Sequence, residues 1–78
     1  MATMSPLSAG LLEFVRRYDA LVYLFTDKIV ATVLGYEYPV APMVLPYSAA
    51  IESDLIAARI TTYDQYEDAP AVFEGFVL

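Results

Sequence analysis

From Leu7 to Phe25 apolar residues return every three or four positions: Leu7, Leu11, Phe14, Val15, Tyr18, Leu21, Val22 and Phe25. That spacing marks one face of a helix. Glu13, Arg16, Arg17 and Asp19 fall off the stripe. Ser5-Pro6 stands before it, where serine can cap and proline fits the first helical position. Gly10 lowers the local propensity without breaking the period. The pattern predicts a helix over residues 6–25.

Thr26-Asp27 punctuates the chain before "KIVATVLG". The β-branched Ile29, Val30, Thr32 and Val33 favour a strand. Gly35, however, stands where a helix-terminating glycine would. A short helix is the expectation for residues 28–34, with a short strand as the alternative. "GYEYPVAPMVLPYSAA" follows, with three tyrosines, three prolines and a single charge, Glu37. Each proline pushes the residue before it, Tyr38, Ala41 or Leu45, into extended backbone. Residues 35–46 therefore read as a stiff Pro/Tyr-rich arm or connector.

Pro46 can open the next helix. Tyr47, Ile51, Leu55, Ala58 and Thr62 share one helical face, with Ile56 and Ile60 close by; Ser48, Glu52 and Arg59 lie on another. A helix is expected over 46–63, with 47–63 the central helix of the molecule. The acidic "YDQYEDAP" ends it, and Asp68-Pro70 can start a last short helix with Val72, Phe73 and Phe76 on its apolar side. The sum is a mainly α fold: one domain over residues 1–78, with three to four helices and an extended connection.

Composition changes this picture in one respect. The chain has 78 residues, 59% of them hydrophobic, and neither Cys nor His. A domain this short buries only roughly 60% of its unfolded surface. Apolar excess then forms surface patches of the kind that mark interfaces. Disulfides and thiolate zinc sites are excluded. A Ser-His-Asp triad has no base, and the three scattered glycines make no phosphate loop. Glu52 and Asp54 point to different sides of a helix. Asp64, Glu67 and Asp68 lack the spacing of an EF-hand and read as a solvated acidic turn. The expectation is therefore no enzyme, no cofactor and no metal site.

The net charge of −6, with Arg16, Arg17, Lys28 and Arg59 as the only bases, argues against sequence-specific nucleic-acid binding. The longest charge-free run, Tyr38–Ile51, is 14 residues, whereas a membrane span needs about 20. Pro39, Pro42 and Pro46 would also break a helix there. The first ten residues lack the charged start of a signal peptide.

The candidate interface residues follow from these readings. Tyr36, Tyr38 and Tyr47 flank the proline segment, and tyrosine covers apolar surface while offering a hydroxyl to a rim. Pro39, Met43 and Leu45 share that segment, and Phe73 and Phe76 close the chain. The tyrosines can equally pad the protein's own core. Arg59 can make a bidentate pair with a neighbouring chain's carboxylate, or pair locally with Glu52 or Asp54.

"EFVRRYDALVYLFTD", "VATVLGYEYPVAP", "SDLIAARITTYD" and "APAVFEGF" occur in that order. The series resembles the small head–tail connector adaptor, or head-completion, proteins of tailed bacteriophages. Arg17-Tyr18, Thr26-Asp27, Tyr38-Pro39, Asp54 to Asp64 with Arg59, and Pro70 match the places of that family's motifs. The resemblance implies a virion neck ring between portal and tail. Its subunits would contact copies of themselves and portal, tail or capsid proteins. A ring contact is heterologous and needs two sticky sides. The alternatives are a small acidic phage-encoded inhibitor of a host protein, and a small membrane-associated protein. Outside a virion, the expected place is the cytoplasm.

Overall fold

Two helices and one four-stranded mixed sheet stand in place of the mainly helical domain expected from the sequence. The computed structural model describes residues 4–33 and 40–76, with the backbone alone for Gly75 and Phe76. Helix α1 spans Pro6–Tyr18. Ser5 caps it, its hydroxyl accepting the Ser8 N–H at 3.1 Å. Arg16 and Arg17 lie in the last turn, where the helix dipole favours cations. The helix stops at Asp19, whose φ of 53° is left-handed. Asparagine and aspartate tolerate that conformation better than most residues.

Past that turn, strand β1 runs Leu21–Leu24, with Val22 and Leu24 buried. The expected helix to residue 25 is thus two elements. Leu21, Val22 and Phe25 continue the helical spacing only by coincidence, because alternation within β1 decides which side chains go in. Strand β2, Lys28–Thr32, pairs antiparallel with β1, with Tyr23 opposite Val30. The short helix expected at 28–34 is therefore replaced by a strand over Lys28–Thr32, the alternative weighed for it. Ile29, Val30 and Ala31 are each fully enclosed. A run buried on both sheet faces suits β-branched side chains.

Strand β3, Met43–Pro46, pairs antiparallel with β2, with Val30 opposite Val44. Leu45 is extended, as the proline after it requires. Pro46 ends an edge strand, where proline is tolerated, and does not open a helix. Helix α2 begins later, at Ala49, and ends at Ala57. Ser48 caps it, accepting the Ile51 N–H at 3.5 Å. The expected helix to residue 63 stops short because Arg59 turns left-handed, at φ 61°. The β-branched "ITT" then feeds strand β4, Thr62–Asp64, which lies parallel to β1. The last expected helix is a 3-10 helix, Ala71–Phe76.

The strand order is β3-β2-β1-β4. Strands β1, β3 and β4 run the same way, and only β2 opposes them. Helix α2 therefore carries the chain from one edge of the sheet to the other. It packs against α1 over one sheet face. Leu11, Leu12 and Val15 of α1, Ile51 and Leu55 of α2, and Val22, Leu24, Ile29 and Leu45 of the sheet form the core there. Each such side chain contributes about 1.5–3 kcal/mol when fully buried.

The opposite face is thinner. Tyr63, Tyr23, Val30 and Val44 make one row across all four strands. The Tyr23 and Tyr63 rings lie 5.5 Å apart. Val30 and Val44 are fully enclosed, and the 3-10 helix packs against β3 beside them. The Phe73 ring of that helix lies 6.2 Å from Phe25.

Candidate functional site

Three parallel strands deliver their carboxyl ends to the same end of the sheet. In open α/β sheets, ligands characteristically bind in the crevice outside such ends. Phe25 and Thr26 follow β1, Tyr47 follows β3, and Tyr66 lies two residues past β4. Backbone bonds tie these exits together. The Tyr47 N–H donates to the Asp27 carbonyl at 2.9 Å, the Thr26 N–H to the Glu67 carbonyl at 3.0 Å, and the Gln65 N–H to the Leu24 carbonyl at 2.9 Å. The Asp27 carboxylate accepts the Ala69 N–H at 2.6 Å. The Thr26 hydroxyl donates to the Asp68 carboxylate.

A cleft of about 340 Å³ opens on this platform. Leu24, Phe25 and Thr26 line it together with Tyr47, Glu52, Asp64 and Tyr66. Glu52 belongs to the first turn of α2, where the positive end of the helix dipole suits a carboxylate. The Tyr47 hydroxyl donates to Glu52. The Tyr66 hydroxyl donates to Asp64 Oδ2 at 3.2 Å. These hydrogen bonds are the first cause that raises both phenols above the ordinary tyrosine range, since each favours the protonated form. Tyr66 is 79% exposed and holds a φ of 60°, an uncommon conformation for so bulky a residue. The cleft is thus an aromatic recess with two carboxylates at its rim. Among the described residues no group of three or more His, Cys, Asp or Glu side chains is placed to hold a metal ion.

The residues expected at an interface fall in different places. Tyr36, Tyr38 and Pro39 lie outside the described residues. Leu45 is fully enclosed in the main core, so it offers no side-chain surface to a partner. Met43 is half-buried against the same core. Tyr47 lines the cleft and is 39% exposed. Arg59 is exposed just past α2, away from the cleft. Phe73 is half-buried over the thinner sheet face, and Phe76 is described by its backbone only.

Sequence reasoning missed Glu52, Asp64 and Tyr66 as parts of one site. The one signal was the pairing of a tyrosine with an acid at short range, as in "YSAAIE" and "DQY". It looked like helix surface in the first case and a solvated turn in the second.

The chain matches no protein-family model, and no characterised protein or solved structure is detectably similar to it. No helix among the described residues is long and apolar enough to cross a membrane.

Proposed function

We propose that the protein is a structural assembly subunit that works through protein–protein contacts. The outward face of α2 carries this reading. Ile51 and Leu55 turn inward, while Ala49, Ala50, Ile56 and Ala57 are exposed, with Ser53 the one polar residue among them. Ile56 is 63% exposed. An exposed apolar cluster of this kind is the sort of surface that marks a protein–protein contact. One side of α2 packs on its own sheet, and a neighbouring subunit would cover the other. A place in a virion neck ring rests on the order of sequence motifs alone.

The test is sedimentation over a range of concentrations, alone and with candidate portal and tail proteins. Wild type is expected to associate. Ile56→Lys should stop association while the far-ultraviolet circular dichroism stays unchanged. A wild-type chain that stays monomeric in every mixture would end this proposal.

A second reading is an acidic inhibitor of a basic host protein. It gains from the gathering of Asp27, Glu52, Asp64, Glu67 and Asp68 at one end of the sheet. Salt separates the two, since a charge-driven contact between exposed groups weakens as salt rises and an apolar one holds.

A further inference from the structure

The two ends of the sheet differ in charge. Arg16 and Arg17 sit in the last turn of α1, just before β1 begins, and Arg59 lies just before β4 begins. Glu13 and Asp19 are the acids beside the first two, and Asp54 lies in α2 shortly before Arg59. Arg17 and Met43, the first residue of β3, line one shallow depression at this end. At the strand-exit end, five carboxylates, those of Asp27, Glu52, Asp64, Glu67 and Asp68, face Lys28 alone. Three of the chain's four cations thus lie at the far end of the same strands.

Building on the assembly role proposed above, we infer that the tyrosine cleft receives Arg16 from the α1 end of a second copy, so that copies join head to tail. Charge complementarity between the ends selects this occupant. The chemistry of the cleft fits a guanidinium in particular. An ionised carboxylate has about four acceptor positions, and the phenol at each rim carboxylate takes only one. Glu52 and Asp64 can therefore each still accept from a planar, forked cation. Phe25, Tyr47 and Tyr66 supply aromatic faces, which attract such a cation. A phenol that donates to a carboxylate also has a more electron-rich ring, which strengthens that attraction. The molecule already uses the same contact internally, with the Arg17 guanidinium 5.6 Å from the centre of the Tyr18 ring. Arg16, exposed beside it, is the residue placed to reach outward. Donor end and acceptor end are different surfaces, so the contact is heterologous and builds a ring or a filament.

The test pairs two variants in sedimentation experiments. One copy carries Arg16→Ala with Arg17→Ala, and the other carries Glu52→Gln with Asp64→Asn, so the two altered surfaces hold no opposite charges that could pair with each other. Each variant alone should associate at least about tenfold more weakly than wild type. An equimolar mixture should form a one-to-one dimer and nothing larger, because only one complementary pair of surfaces is left intact. Damage to folding cannot produce that dimer. Variants that associate like wild type overturn the inference, as does a mixture that stays monomeric. If the cleft variant still assembles while Ile56→Lys does not, the head-to-tail contact is wrong and the assembly role stands. A wild-type chain that never self-associates overturns the second-copy contact outright, and the assembly role then depends on other proteins.

Discussion

The two faces of the sheet are built to different depths. The helix-covered face packs Leu11, Leu12, Val15, Ile51 and Leu55 onto Val22, Leu24, Ile29 and Leu45. The other face encloses Val30 and Val44 beside the 3-10 helix Ala71–Phe76, the one element among the described residues that packs there, and leaves Tyr63 44% exposed. Yet both valines are as fully enclosed as Leu55. Fractional burial therefore does not measure how firmly a side chain is held. Among the described residues what differs is the cover, two α-helices on one face and one 3-10 helix on the other.

Leu55→Ala tests the deeper face and should have the largest effect. It opens a cavity between α2 and the sheet, and should cost about 2–5 kcal/mol in denaturant-induced unfolding. Val30→Ala tests the thinner face. It removes less volume, and the turn above can settle into the space, so the expected cost is about 1–2 kcal/mol. Equal losses at the two sites would erase the distinction between the faces.

The smallest effect belongs to the cleft. Tyr47 and Tyr66 have folded-state pKa values raised above the ordinary value, chiefly by hydrogen bonds to Glu52 and Asp64. A group whose folded pKa is raised stabilises the fold while it stays protonated. That contribution is complete below the unfolded tyrosine pKa of about 10, and it is lost as pH climbs through the raised folded values. Phenolate absorbance should therefore show two tyrosines titrating late. Tyr47→Phe and Tyr66→Phe should each remove one of them. A wild-type titration in which every tyrosine ionises together at the unfolded value would contradict the paired geometry.

Local signals were legible where one residue type answers one geometric need. Ser5-Pro6 marks the start of α1, and the inward face of α2 was visible in Ile51 and Leu55. Signals failed where two periods overlap. Leu21 and Val22 fit both a helical step and the strand that follows Asp19. At Lys28–Thr32 the β-branched run was the better guide, and Gly35 was the misleading one. Pro46 suits a helix start and the end of an edge strand equally well, and only the pairing of Lys28 with Pro46 decides between them. The cleft was the least legible part. It joins residues from three strand exits and one helix turn, and β1 and β4 meet across some forty positions of sequence. Tyr47 was found as a surface residue, but its neighbours Asp64 and Tyr66 reach it only through that distant pairing.

The parallel pairing of β1 with β4 also sets an order of events. The hairpin of β1 and β2 and its extension by β3 close over short stretches of chain. The Val22–Thr62 contact must wait for α2 to be made and laid across the sheet. Pairings that are distant in sequence form late, because loop closure must come before any reward. On the ribosome, then, the recess can mature only once β4 has been made. A half-made chain shows its arginines before it has a recess, so two unfinished copies offer each other no place for one.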